Sequence, residues 1–466
     1  MHPKHSVPLN IAGNETNPAE LAPVENDQPV PTGGPQFAQP TATPDPTHFI
    51  VKHGSDKQAY AILDSEKGTI QPREIPAGAG VEPAMDLADA IGAKGKQVTA
   101  AIIRAGQIVF HALGDTGNTQ SAGAENQVTD KLVSDFDDEQ PQDVPSFCYN
   151  LGDVVYSFGE AEYYYDQFYD PYRNYPAPIF AIPGNHDGMV APNSSTPTLQ
   201  AFLENFCAND GEVFHRKPEA GNLVRTAGVQ PGVYFTLEAP FVRILGLYSN
   251  CLEDPGVISS QKGSANPYPA LPDIQLDFLT AALERIKSEK FEGAVLIAVH
   301  HPPYVAVTKS SDPTRPIVGR HIGSPLMLAD IDRICAKVGV WPHAVLSGHA
   351  HNYQRFTRYW GTRETPFIIC GNGGHAHTRL TKKGAPTLRT PATEGLLSNG
   401  QDRVVFESYD DTGYGYLRVL VDSTQLRIEY HPAADGETTK TPDDSVTVDI
   451  ATRTLIHYQA NALSSP

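Results

Sequence analysis

At 466 residues, with 40% hydrophobic and 19% charged residues, the chain has room for one large domain or two and the composition expected of a soluble globular protein. A formal net charge of −19 argues against nucleic acid or anionic membrane as partners, and no apolar stretch approaches the ~20 residues of a membrane span. An anionic substrate would then need strong local positive charge, which bound metal ions can supply.

Residues 1–47 are rich in Pro, Thr, Asn, Gln and Gly and poor in large apolar residues, so they read as a disordered or surface-draped arm. Their start lacks the basic-then-apolar signature of a secretion signal, which makes a cytoplasmic location the default, with secretion or a periplasmic location left open. Residues 48–107 form an extension of unassigned role, with a strand expected near 48–54 and helix within 85–103. From 108 the pattern turns regular. An apolar run at 108–113 precedes a helix with Val128, Leu132 and Val133 on its apolar side, and runs at 146–151 and 177–183 follow. Between the last two lies a tyrosine-dense stretch, Tyr163 to Tyr175, expected to pack in the core. A helix near 199–207 and a hairpin from 232 to 250 lead to a helix that Asp273 would cap, with Leu276, Leu279, Leu283 and Ile286 on one stripe. Strands at 294–299, 343–347 and 365–370 flank a helix at 325–339, and a hairpin turning at Ser423-Thr424 ends the pattern near 435. A tail, 436–466, remains. The cysteines (Cys148, Cys207, Cys251, Cys335, Cys370) are scattered without CxxC spacing and are expected to be reduced and packed. Strand–helix alternation implies α/β layering, two β layers faced by helices.

Five of the apolar runs end in polar blocks. These are Gly114-Asp115-Thr116-Gly117, Gly152-Asp153-Val154-Val155-Tyr156, Gly184-Asn185-His186-Asp187, Val299-His300-His301-Pro302 and Gly348-His349-Ala350-His351. Loops at the carboxyl ends of neighbouring strands are where open α/β sheets place their chemistry. Aspartate, tyrosinate, amide and imidazole suit hard or borderline metals, and a two-metal hydrolase needs a carboxylate to bridge its ions. Tyr156 stands three residues past Asp153, and the alternation of His349 and His351 aims them at different metals in an extended loop.

In their order these blocks resemble the motifs of purple acid phosphatases, within the calcineurin-like metallophosphoesterase superfamily, over residues 108 to about 430. The resemblance implies a four-layer α/β/β/α sandwich and a catalytic domain spanning 108–435. It implies Fe(III) held by Asp115, Asp153, Tyr156 and His351. A divalent ion (Fe, Zn or Mn) would be held by Asp153, Asn185, His300 and His349, with Asp153 bridging. His186 would sit over the phosphate, oriented by Asp187, and a hydroxide held on the metals would displace the alcohol of a small phosphate monoester. Many superfamily members carry a histidine two residues after the first aspartate. Here Gly117 stands there, and Tyr156, a hard phenolate, can replace the missing ligand beside Fe(III). Only about sixty residues separate the arm from the first block, too few for the amino-terminal domain of the large plant-type members.

His321 is a candidate substrate-side histidine, and His301 is expected to act in packing or behind the ligands. The second Gly-His-Ala-His, 374–377, is expected to stand behind the ligands or at the surface rather than to ligate. Two other functions stay open at this point: a phosphodiesterase acting on cyclic nucleotides or phospholipid headgroups, and a non-catalytic binding protein on the same scaffold. The natural substrate and the oligomeric state are not legible in the sequence.

Overall fold

The apolar runs become the parallel strands of two mixed sheets. The computed structural model describes residues 72–457, apart from 77, 79, 120–121, 138–141, 191–194, 208–229, 266, 307, 310–316, 319–320, 381–401 and 434–440. In chain order the strands are β1 (Ala84–Asp86), β2 (Gln107–Leu113), β3 (Cys148–Asn150), β4 (Ile179–Ala181), β5 (Phe235–Ala239), β6 (Val242–Leu247) and β7 (Ala294–Val299). A separate ribbon pairs β8 (Thr308–Lys309) with β9 (Ile317–Val318). There follow β10 (Ala344–Ser347), β11 (Tyr353–Trp360), β12 (Arg363–Cys370), β13 (Arg403–Asp410), β14 (Gly415–Asp422), β15 (Gln425–Pro432), β16 (Asp444–Asp449) and β17 (Thr454–Leu455).

One sheet runs β1-β5-β6-β7-β10-β12-β11-β13, the other β17-β16-β15-β14-β2-β3-β4. Each has a parallel part, β6-β7-β10-β12 at the centre of the first and β2-β3-β4 at one end of the second, so the loops leaving these strands gather at carboxyl ends. β2, β3, β7 and β10 are buried along almost their whole length, as expected of strands covered on both faces. The sheets meet face to face through rings. Phe235 of β5 lies 6.3 Å from Tyr149 and 6.4 Å from Phe180, and Tyr353 of β11 stacks on Tyr430 of β15 at 4.0 Å.

Helices supply the outer layers. Helix Ile274–Ser288 buries Gln275, Phe278, Leu279, Ala282, Leu283 and Ile286, while Leu276 is half-buried at the stripe's edge. Asp273 precedes it but gives no side-chain cap; its carboxylate accepts the Ser260 N–H instead. Helix Pro325–Val338 starts with proline at its first position and ends at Gly339, whose φ of 81° is the left-handed conformation that closes helices. These two helices pack together beside the first sheet, and helix Gly123–Ser134 lies on β14 of the second. The result is the expected α/β/β/α layering.

The sheets extend past the 108–435 span expected of the catalytic domain. β1, from the unassigned extension, pairs with the free edge of β5, and β16 and β17, from the tail, continue the sheet beyond β15. An exposed strand edge leaves N–H and C=O groups unpaired, and these short segments cover two such edges. The arm, 1–47, and the strand expected at 48–54 lie outside the described residues. The tyrosine stretch packs inward as expected: Tyr163, Tyr164, Tyr169, Tyr172 and Tyr175 are buried. All five cysteines are buried thiols. Among the described residues no helix is long and apolar enough to cross a membrane.

Leu283, fully buried between helix and sheet, tests this packing. Leu283→Ala should lower unfolding free energy by about 2–5 kcal/mol, seen as a fall in the denaturant midpoint with unchanged slope.

Candidate metal centre

The two sheets are tied together where the polar blocks emerge. Gly114 N–H, after β2, donates to the carbonyl of Cys370 at the end of β12 (2.8 Å), and Gly373 N–H returns a bond to Gly114 (3.0 Å). Asp115 N–H donates to Gly152 (2.9 Å), and Gly348 N–H to His300 (3.0 Å). Backbone this close leaves no room for side chains. A Cβ on Gly184 would overlap the Asp153 carboxylate. Asp115, Asp153 and His349 take left-handed backbone, φ 56°, 54° and 69°. That region is unfavourable for residues with a Cβ and recurs where function dictates the geometry.

Two groups of ligand-type atoms result. In the first, Tyr156 Oη donates to Asp115 Oδ1 (2.9 Å) and Asp153 Oδ2 (2.7 Å) and lies 3.3 Å from His351 Nε2, itself 3.4 Å from Asp115 Oδ1. In the second, Asn185 Oδ1 is 3.1 Å from both His300 Nε2 and His349 Nδ1, and His300 Nε2 is 3.3 Å from Asp153 Oδ2. Atoms about 2.1 Å from one ion stand about 3–3.5 Å apart, so both groups have the spacing of a coordination shell, and Asp153 Oδ2 belongs to each. Asp115, Asp153 and His300 also form a cluster of candidate metal ligands within 4.8 Å of one another. Asn185 Nδ2, buried and without a hydrogen-bond partner, marks how fully the Oδ1 end of that amide is turned toward the imidazoles.

Before a metal enters, protons hold the charges apart. Burial raises the Tyr156 phenol well above its ordinary value, and the Asp115 and Asp153 carboxylates raise it further, so it stays protonated and donates to both. Burial alone would lower His300, but the Asp153 carboxylate outweighs it and brings the imidazole to about 9. His300 Nδ1 lies 2.8 Å from the Leu151 carbonyl, which can only accept, so Nδ1 carries a proton and Nε2 faces the pocket.

The remaining sequence candidates are placed as follows. His186 is buried against the Tyr156 ring (4.4 Å), its N–H on Asp153 Oδ1 (2.9 Å) and its ring Nδ1 on the Ser157 carbonyl (2.8 Å). The expected bond from Asp187 to the His186 ring is not made. Asp187 turns inward and accepts the amides of Gly184 (2.8 Å), Val154 (3.1 Å) and Val155 (3.3 Å), buried donors that require an acceptor. Burial, then the Asp153 charge, pushes its carboxyl up to about 7. His321 stands beside the second group, its ring 4.1 Å from that of His349. His301 packs behind, with Ser249 Oγ and the Leu252 carbonyl on its two nitrogens. His375, from the second Gly-His-Ala-His, stacks flat on Tyr156 at 3.6 Å.

Two residues escaped sequence reading. Gln167, inside the tyrosine stretch, accepts the Tyr156 N–H and donates to the Tyr156 carbonyl, clamping that residue on both sides. Asp254, in the loop after β6, reaches His349 and His321. Neither stands in a recognisable pattern.

The family profile of calcineurin-like phosphoesterases matches residues 108–353. A search of curated proteins finds no match. Among solved structures, the purple acid phosphatase PPD1 of yellow lupin (Lupinus luteus) aligns at 16% identity and TM-score 0.45, over 74% of this chain but only 54% of the lupin chain. GAP50, described as the anchor in the inner membrane complex of Plasmodium, aligns at 13% and 0.44, over 71% of this chain and 86% of its own. PhoD aligns at 14% and 0.43, over 77% and 73%.

Gly184→Ala should displace Asp153 and cut metal uptake, measured as bound metal per chain after dialysis. Gly232→Ala, whose Cβ would meet nothing nearer than 3.5 Å, should leave uptake unchanged.

Proposed function

The chain belongs to the calcineurin-like phosphoesterase family, and from that premise we propose that it hydrolyses small phosphate monoesters at a pair of metal ions, Fe(III) and a divalent Fe, Zn or Mn. The observation that carries this reading is the shared position of Asp153 Oδ2, 2.7 Å from Tyr156 Oη and 3.3 Å from His300 Nε2. Asp115, Tyr156 and His351 would complete one ligand set, and Asn185, His300 and His349 the other. The phenol beside two carboxylates is a hard, anionic donor set once deprotonated, which favours Fe(III) over Zn(II) at that position.

When bound, the two ions would polarise the phosphoryl oxygens and acidify a water molecule. The protein's own groups then divide the work. Glycines and left-handed backbone hold the ligand atoms at coordination distances before metal arrives, so little reorganisation remains. His186, its Nδ1–H on the Ser157 carbonyl, would contact the phosphate with its ring and, when protonated, give its proton to the departing alkoxide as the phosphorus–oxygen bond breaks. Asp187 acts one step back, holding together the two loops that carry Asp153 and His186. His321, its ring 4.1 Å from that of His349, would meet a phosphate oxygen from the other side.

Purified protein loaded with iron and zinc should cleave p-nitrophenyl phosphate faster than bis-p-nitrophenyl phosphate and lose activity on chelation. Asp153→Asn should lower kcat/KM at least about 1,000-fold, since a neutral amide bridges two cations poorly and several kcal/mol of charge stabilisation disappear. The iron form should be violet, and Tyr156→Phe should bleach it. A colourless active enzyme overturns the iron assignment, and faster diester cleavage overturns the monoester assignment.

A further inference from the structure

We propose that Asp254 is the positioning residue that sets the proton on His349, so that His349 presents Nδ1 to the divalent ion. The inference rests on the two-metal reading above and adds a residue to it.

His349 is the only histidine of the second group whose two ring nitrogens both meet polar side chains. Nδ1 faces Asn185 Oδ1 at 3.1 Å, and Nε2 faces Asp254 Oδ1 at 3.4 Å. A neutral imidazole has one N–H and one lone pair. If Nδ1 kept the hydrogen, it would donate to Asn185 and both would be lost as ligands. With the hydrogen on Nε2, the Nδ1 lone pair joins Asn185 Oδ1 and His300 Nε2. A carboxylate is the acceptor best able to hold the proton there.

The other rings touching His349 cannot take that part. His300 lies 5.2 Å away with Nδ1 committed to Leu151. His301, at 4.1 Å, has both nitrogens engaged by Ser249 and Leu252. His321, at 4.1 Å, turns its Nδ1 toward the same carboxylate, 3.9 Å from Asp254 Oδ2. Asp254 is itself anchored, since Oδ1 also accepts the Ile322 N–H at 3.2 Å. One carboxylate thereby ties the loop after β6 to His349 and to the segment carrying His321.

Asp254, His321 and His349 also have the spacing of a metal cluster. A cation there would need the Nε2 lone pair of His349, which is incompatible with neutral Nδ1 ligation of the divalent ion. The two arrangements make opposite predictions.

Metal-stripped protein titrated with Zn(II) by calorimetry separates them. Wild type should bind two ions. Asp254→Ala should weaken one binding event about 10–100-fold and leave the other unchanged. Asp254→Asn, which keeps a neutral acceptor, should recover part of the loss. The metal-free melting temperature, read for all three proteins, should stay level. His349→Ala should weaken the same event. Wild-type affinity in Asp254→Ala, equal losses in the Asn and Ala variants, or a third ion in wild type that Asp254→Ala removes would each overturn the proposal while leaving the two-metal reading intact. Absence of paired binding in wild type would overturn both.

Discussion

A single carboxylate oxygen, Asp153 Oδ2, lies between a phenol and an imidazole delivered from opposite sheets, and the surrounding structure is arranged to keep it there. Tyr156 comes with Asp153 from the loop after β3, in one sheet, while His300 ends β7 in the other. Burial by itself would raise the Asp153 carboxyl, but the His300 and His186 charges hold it well below its ordinary range. A fully buried carboxylate is costly unless paired, so the pocket must assemble around it as the sheets close.

That requirement explains features that look unrelated in isolation. Glycines precede four of the five blocks, and Gly184 and Gly348 clear space for the Asp153 and Asp115 carboxylates. The left-handed conformations of Asp115, Asp153 and His349 turn three ligands sharply into the pocket. Asp187, buried and acceptor-rich, neutralises amide donors that the tight loops would otherwise leave unpaired. The tyrosine stretch is core, yet through Gln167 it also fixes the peptide groups on either side of Tyr156.

Such a site is enclosed. The candidate ligand side chains are nearly all buried, with His351 keeping 13% exposure, and His186 and His321 are buried beside them. Strand ends thereby position the charge, and the segments beyond them carry His186 and His321.

Much of this was legible before folding. Parallel strands declare themselves as short continuous apolar runs because both faces are covered, and a polar block after each run marks a carboxyl end. The residue types in those blocks carry their own chemistry, and the resemblance of the ordered blocks to a known family singled out Asp115, Asp153, Tyr156, Asn185, His300, His349 and His351 as candidates. The edge strands β1, β16 and β17 could not be assigned so, because short half-exposed segments lack a distinctive period and take their state from the edge they cover. The partner of Asp187 was misjudged because sequence adjacency to His186 says nothing about which buried amides compete for a carboxylate. Asp254 and Gln167 were invisible for the same reason. Asp254 meets His349 across 95 residues of chain, and only tertiary packing decides such a contact, whereas the ligand chemistry is written in the residues themselves.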